Sequence, residues 1–561
     1  MFIPATREEV RKLGWDRLDI ILVTGDAYVD SPNMGSAVIG QVLMDRGYRV
    51  GIISQPDTES DRDISRLGEP LLYWGVTAGS VDSMISNYTA LMKRRMRDDL
   101  TPGGENTRRP DRALIVYTNL IRRYFRNTAP VVLGGIEASL RRIAHYDAKD
   151  NRIRRSVLFD AKADVLVYGM GERASVELAE NIQKGLGHEG VRGTCTISRE
   201  APEGYMEIPS FESAASDSAV FEEMFRVFCE NSEAPSASGM LQRHGDRFLV
   251  HNPPQEALTS EELDRVYELP YERELHPLDR KRGDVRALDT IRFSITSHRG
   301  CVGECSFCSI AVHQGRRIIS RSEESILGEA EKFSSHPVFR GIINDVGGPT
   351  ANMYGMDCTG AGGTCTHRSC IYPAPCTAFR LSHERQIKLL KRLRSINGIR
   401  RVFVSSGVRH DLILADREFG EAYLEELMRH HVSGQMKIAP EHSENSVLRL
   451  MRKPGREALE SFILLFNRLR KKTGSKIFLT YYFIAAHPGC TMDDMKKLKK
   501  MTAALLKIRP KQVQVFTPSP STWSTLMYWT GTDPVTGREL FVERDRKKKE
   551  TQKKIVTGPG K

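Results

Sequence analysis

From Ile291 onward the chain alternates short apolar runs with amphipathic stretches, and that alternation restricts it to a parallel α/β fold. Six runs read as strands: Ile291 to Thr296, Gly341 to Asp345, Val402 to Ser405, Met436 to Ala439, Ile477 to Ile484 and Gln512 to Phe516. Between them apolar residues recur at helical-turn spacing, as in Ile387, Leu390 and Leu393, or Leu459, Phe462, Ile463, Phe466 and Leu469. Those stripes serve a core and carry no chemistry. Parallel strands need crossover helices, so six strand-helix units in succession predict a partial (β/α)6 barrel over 290–535. In such a barrel chemistry gathers where the strands end.

The front of the chain follows the same logic with a different closure. Ile20 to Val23, Val50 to Ile53, Ala113 to Val116, Val131 to Leu133 and Val165 to Val167 read as buried strands, with helical stretches such as Val38, Ile39, Val42 and Leu43 between them. They predict an N-terminal doubly wound parallel sheet, flavodoxin/Rossmann-like, over 1–183. Its glycine-rich strand ends at Gly25, Asp26, Gly134 and Gly135 are where a ligand is expected, although their spacing matches neither a dinucleotide nor a P-loop motif. Residues 184–289, with Pro202, Pro209, Pro235, Pro253 and Pro254 among serine and glutamate clusters, read as an irregular connector with some helix.

A length of 561 residues fits two or three domains. Hydrophobic content of 40% and charged content of 27% exclude disordered, fibrous and membrane-embedded classes. No apolar run approaches the roughly 18 residues that span a bilayer, so the expectation is a cytoplasmic chain with no membrane partner. Net charge is 83 minus 71, or +12. Glu543 to Lys561 holds eight of the basic residues against three acids and so carries +5, which leaves +7 spread over the rest. Residues 536–561 therefore read as a solvated basic tail.

The ten cysteines are unevenly placed. Cys301, Cys305 and Cys308 form a Cys-x3-Cys-x2-Cys array on the loop after the first barrel strand, a spacing that reads as metal ligation in a reducing compartment. Three thiolates suit a cubane iron-sulfur cluster with one iron left open, whereas structural zinc takes four protein ligands. His298 or His313 would have to complete a zinc site. A second group, Cys358, Cys365, Cys370 and Cys376, lies in a glycine-rich insertion at 355–378 and reads as a second metal site, zinc or an auxiliary cluster, with His367 as an exchange ligand.

The array, with Phe307 before its last cysteine, resembles the cluster loop of the radical S-adenosylmethionine (radical SAM) superfamily. The resemblance implies a 4Fe-4S cluster on Cys301, Cys305 and Cys308 that cleaves S-adenosylmethionine reductively to a 5′-deoxyadenosyl radical. It also implies cofactor contacts at the other strand ends. Gly347 and Gly348, followed by Pro349 where the superfamily has an acid, would offer carbonyls to the methionine amino group. Ser405 and Arg409 would meet the ribose and carboxylate. Glu441 would line the adenosine pocket, and Pro488, in a loop common in the superfamily, would contact the cofactor. The catalytic residue toward substrate stays open.

The Val23 to Asp30 opening, the Gly134 to Ser139 stretch, the cluster loop, and Phe516 to Pro520 before Met527 to Gly531 are together similar to YgiQ-type radical SAM proteins, over about residues 5 to 535. That resemblance implies an electron donor of flavodoxin or ferredoxin type and leaves the substrate open, with RNA or protein among the candidates. Two other readings compete. One is a zinc-stabilised RNA-binding protein with a basic tail. The other is a cobalamin-dependent radical SAM methylase whose N-terminal sheet binds cobalamin, although the loop from Asp26 to Pro32 lacks the base-displacing histidine motif.

Overall fold

The computed structural model describes residues 1–233, 237–360 and 369–558. The chain divides into two compact units, Met1–Ala257 with Arg265–Arg292, and Leu258–Asp264 with Phe293–Lys561.

The first unit is built on a nine-stranded sheet. Its parallel half runs, in spatial order, Val50–Ser54, Ile20–Thr24, Tyr73–Thr77, Val131–Gly134 and Val165–Val167. Counted along the chain this is order 2-1-3-4-5, the flavodoxin-like arrangement with its crevice beyond Ile20–Thr24 and Tyr73–Thr77. The chain's own side chains fill that crevice. Asp26 is buried and ion-paired to Arg109, which also holds Asp98 at 3.0 Å. Ser80 N–H donates to Asp26 at 2.6 Å. A Cβ at Gly25 would collide with the carbonyl of Ala78, and one at Gly79 with the Asp26 carboxylate. The glycines at these strand ends thus allow backbone and carboxylate to pack closely.

Two expectations for this unit are corrected. Ala113–Tyr124 is a helix, because its apolar residues continue at turn spacing through Tyr117, Leu120 and Ile121 on one buried face. The strand beside Ile20–Thr24 is Tyr73–Thr77, whose central glycine breaks the run of large apolar residues that marks a strand in sequence. The expected connector 184–289 is likewise ordered. Thr194–Ser198, Arg247–His251, Met240–His244 and Met206–Ile208 extend the sheet by antiparallel and finally parallel pairing. The hairpin turns at Gly245 and Asp246, with φ of 62° at the glycine. Helix Ser218–Glu230 buries Phe221, Met224, Phe225 and Phe228.

In the second unit the six barrel strands follow one another in chain order and pair in parallel. Ser294–Thr296 pairs with Asp345–Gly347, and Ile342–Ile343 with Arg401–Val402. A bridge from Val408 to Ile438 leads to Gln435–Glu441, which pairs with Phe478–Ala485 and that with Val513–Val515. Helices Glu323–Ser334, Glu384–Ser395, Arg456–Thr473 and Met492–Met501 bury their apolar stripes against this sheet in one core. Each fully buried Leu, Ile or Phe of such a stripe contributes about 1.5–3 kcal/mol.

The tail is not a solvated strand of charge. Asp545 caps helix Arg546–Thr557 by accepting from Lys548 N–H at 2.8 Å. Lys549, Gln552 and Val556 form its buried face, which packs on Met492–Met501 and the sixth strand. Lys549 is buried by laying its ammonium over the Tyr528 ring at 4.6 Å and donating to the Tyr528 hydroxyl at 2.9 Å. A count of lysines hides this spacing, because every other basic residue of the helix lies outside that face. Gln552 accepts from Ala486 N–H at 2.9 Å and donates to the Cys490 carbonyl at 3.3 Å. Replacing Gln552 with Leu leaves both buried groups unpaired, a cost of about 1–3 kcal/mol. Thermal unfolding should fall by several degrees in this variant, while Lys547→Ala on the exposed face should leave it unchanged.

Candidate functional site

The first barrel strand leads into a segment that doubles back. His298–Arg299 pairs antiparallel with Ile319–Ser320, and Gly300 turns the chain at φ 79°. A Cβ there would collide with the Arg317 carbonyl, so this position requires glycine. Cys301, Cys305 and Cys308 follow, before the short helix Ile310–Gln314. This loop is fastened from several sides. Cys301 N–H donates to Gly315 O at 3.2 Å and Gly300 N–H to the Gln314 side chain at 3.3 Å. Ser306 N–H donates to Met451 O at 3.1 Å, and Ser306 O accepts from Ser524 N–H at 2.8 Å. The Phe307 ring meets His487 edge-on at 6.4 Å.

The thiols lie within one another's field. Burial, reinforced by Cys305, pushes Cys308 up to about 12, and burial raises Cys301 against the opposing charge of Arg409. A metal taken up here must therefore displace protons. Three thiols on one loop are a donor set that suits an iron-sulfur cluster with one iron left open, whereas structural zinc takes four protein ligands. His298 Nδ1 lies 3.0 Å from the Ser297 hydroxyl, its Nε2 is buried with no hydrogen-bond partner, and burial lowers the ring to about 3, which keeps it neutral.

Arg409, after the third strand, reaches the loop. Its Nη1 lies 3.6 Å from Cys305 Sγ, and a Cβ at Gly303 would come within 2.5 Å of the same nitrogen. Nε and Nη2 form a fork on Asp411 at 3.1 and 2.5 Å. Burial opposes the charge of Arg409, but Asp411 and Cys305 outweigh it and raise its pKa. Its backbone is held by Asn352, which accepts from Arg409 N–H at 2.8 Å and donates to Arg409 O at 3.1 Å. Asn352 in turn contacts His383 Nε2 at 3.1 Å, and His383 Nδ1 meets Asp416 at 2.8 Å. Sequence reasoning missed Asn352, His383 and Asp416, which lie far apart in the chain and share no spacing.

Glu441 ends the fourth strand at φ 70°, beyond an irregularity in its pairing with the fifth. A non-glycine residue in that region is strained, and such strain concentrates at functional positions. Burial raises its carboxyl to about 7 against Lys453, whose Nζ is 3.9 Å away, and Arg409. Glu441 in turn contributes to the raised Cys308.

The other residues singled out at strand ends have structural partners. Gly347 O accepts from both the N–H and the hydroxyl of Ser297, at 2.6 and 3.1 Å. Gly348 sits so close to His298 that a Cβ would come within 2.6 Å of its ring. The Ser405 hydroxyl donates to Asn344 O at 2.7 Å, while its N–H and that of Ser406 donate to Asp345 at 2.8 and 3.2 Å. Asp345 thus ties the second strand end to the third. Pro488 O contacts Nδ1 of the buried His487 at 2.8 Å, and His487 Nε2 meets Ser524 Oγ at 2.7 Å.

In the second cysteine group, Cys358 lies on the strand Asp357–Cys358 opposite Phe379, and Cys376 N–H donates to Cys370 O at 2.8 Å. Cys301, Cys370 and Cys376 all pack on one apolar cluster that includes Val302, Met353, Met356 and Ile371. Cys365 and His367 lie outside the described residues.

Residues 2–294 match the family model described as radical SAM N-terminal, and residues 295–502 match that of the radical SAM superfamily. A UPF0313 protein of Fusobacterium nucleatum is 49% identical over 559 residues, covering 99% of this chain and 98% of that protein. One from Thermotoga maritima is 47% identical, with 99% and 98% covered. Among solved structures, the radical S-adenosylmethionine methyltransferase TsrM of Kitasatospora setae, with cobalamin and a 4Fe-4S cluster bound, has a TM-score of 0.50 at 16% identity, over 90% of this chain and 76% of that one. The cobalamin-dependent S-adenosylmethionine radical enzyme OxsB, with aqua-cobalamin bound, has a TM-score of 0.51 at 12% identity, over 93% and 56%. At such identity these two likenesses concern the fold alone, whereas the match of both family models and the near full-length relatives establish that this chain is an enzyme of the radical SAM superfamily and belongs to its UPF0313, YgiQ-type family.

Proposed function

We propose that Cys301, Cys305 and Cys308 hold a 4Fe-4S cluster and that the enzyme uses it to cleave S-adenosylmethionine and start a radical reaction on its substrate. The observation that carries this reading is three thiols on one externally braced loop, with the Arg409 guanidinium 3.6 Å from the middle one. Held there and reduced by a donor of flavodoxin or ferredoxin type, a cluster would supply the one electron for cleavage of the sulfur to C5′ bond, which gives methionine and the 5′-deoxyadenosyl radical.

The chain's own part is to position, to balance charge and to exclude water. Contacts to S-adenosylmethionine are assigned to Phe307, Gly347, Gly348, Ser405, Arg409, Glu441 and Pro488. Arg409 and Glu441 have the firmest support, because both act electrostatically on the thiols and both are buried. Gly347 O and the Ser405 hydroxyl are already engaged, which favours a bracing role for those two groups. Cys358, Cys370 and Cys376, with Cys365, are assigned to a second metal or cluster; the apolar patch that Cys370 and Cys376 share with Cys301 supports a site beside the first.

A second reading adds cobalamin in the first unit. Its support is the 2-1-3-4-5 strand order together with the fold likeness to TsrM and OxsB. The Asp26 to Arg109 pair in the crevice stands against it.

Protein reconstituted with iron and sulfide without oxygen should be brown, bleach with dithionite and form 5′-deoxyadenosine. The triple variant of Cys301, Cys305 and Cys308 to Ala should lose cleavage entirely, and a triple variant that still forms 5′-deoxyadenosine would sink the assignment. Replacing Arg409 with Gln removes a cation beside the thiolates, so the cluster should become harder to reduce by roughly tens of millivolts. Potentiometric titration followed by electron paramagnetic resonance measures that shift. Equilibrium dialysis against hydroxocobalamin tests the second reading, which requires stoichiometric retention and falls without it.

A further inference from the structure

We propose that a cavity at the carboxyl end of strand Val50–Ser54, in the first unit, binds the phosphoryl group of a small phosphorylated metabolite. The cavity holds about 460 Å3, and its charged lining is Arg62, Arg66, Arg108 and Arg282 with Asp57 and Asp63. Four guanidiniums less two carboxylates leave +2 on its wall. A phosphomonoester carries about −1.5 to −2 at neutral pH. The two match.

The site is built, not merely basic. Gln55, at φ 40°, turns the chain out of the strand, and Asp57 N–H then donates to Asp63 at 2.9 Å. Asp63 acts as an internal anchor for three of the arginines. Its carboxylate is 3.3 Å from Arg66, 3.9 Å from Arg282 and 4.0 Å from Arg108, so only the first is at hydrogen-bond distance. One carboxylate thus gathers three cations without using up their donors, since each guanidinium carries five N–H groups. Arg66 is further fixed by Nε donating to Ala5 O at 2.9 Å, and its Nη2 is buried with no hydrogen-bond partner. Burial also pushes Arg66 below its usual value, and Arg282 adds to that push while Asp63 and Asp279 resist it.

Several guanidiniums confined in a concave, partly desolvated space repel one another, and none can shed its proton near neutrality. A bound anion removes that repulsion. The cavity lies at the carboxyl end of the sheet's edge strand, apart from the switch-point crevice that Asp26 and Arg109 fill. The volume exceeds what phosphate alone needs and lies in the range for small-molecule sites. That leaves room for a sugar-sized body, with Leu278 as an apolar wall. A nucleic-acid strand would call for cations spaced along a track, and these converge on one carboxylate.

The test is calorimetric titration of the full chain at fixed ionic strength in a buffer free of phosphate, with inorganic phosphate, ribose 5-phosphate, ribose and an oligouridine as probes. Ribose 5-phosphate should bind one to one and ribose should not. Arg108→Gln and Arg282→Gln should each weaken it by roughly tenfold. Both side chains are about a third exposed, but Arg282 also pairs with the buried Asp279 at 3.4 Å, so Arg108→Gln is the variant that should keep the wild-type unfolding temperature without ligand. Tighter binding of ribose 5-phosphate than of inorganic phosphate supports an esterified ligand, and equal affinity would overturn the metabolite in favour of free phosphate. The proposal is overturned if neither phosphate probe binds, if both variants bind like wild type, if ribose binds as well as its phosphate, or if oligouridine outcompetes the sugar phosphate.

Discussion

The cysteine loop has almost no regular structure of its own, and everything proposed for this enzyme depends on its being held from outside. Gly300 passes against the Arg317 carbonyl where no side chain fits, and Gly303 makes way for Arg409. Met451, after the fourth strand, and Ser524, after the sixth, bond to the two sides of Ser306. Phe307 rests against His487 at the end of the fifth. The thiols are therefore set by the closure of the barrel as a whole, and a change at any of these contacts reaches them through the backbone.

Charge is managed by the same elements. Arg409 is held at its side chain by Asp411 and at its backbone by Asn352, which is itself fixed through His383 to Asp416. Such a chain of buried, satisfied polar groups resists rearrangement, because breaking one link leaves others unpaired in a medium of low dielectric. Glu441 and Lys453 form a weaker, looser pair at 3.9 Å on the same face. A cation and a buried carboxyl thus act on the thiols from two different strand ends.

The sequence makes some of this legible and hides the rest for physical reasons. All six barrel strands stand out because β-rich runs and turn-spaced stripes are local signals. The cysteine array stands out because its ligands come from one loop. Asp345, Asn352, His383 and Ser524 act through partners distant in the chain, and nothing in local spacing marks them. In the first unit, Ala113 to Val116 has the composition of a strand but belongs to a helix, since its apolar residues continue at the helical period. Tyr73–Thr77 does not stand out because Gly75 at its centre, where a Cβ would crowd Leu22, weakens the strand pattern. The strands within 184–289 are short and separated by prolines, so periodicity has too few residues to register. The tail's basic composition conceals three buried positions on one helical face.

The bond from Ser524 to Ser306 has a consequence for how the protein is made. At about 5–20 residues per second, the cysteines leave the ribosome roughly 10–40 s before the residue that braces them. Throughout that interval the loop lacks the bond from Ser524 that fixes one side of Ser306. Contacts so distant in sequence also slow the final closure. Folding of the second unit is thus ordered in time by the chain itself: the three sulfurs emerge first, and the contact that braces their loop forms last.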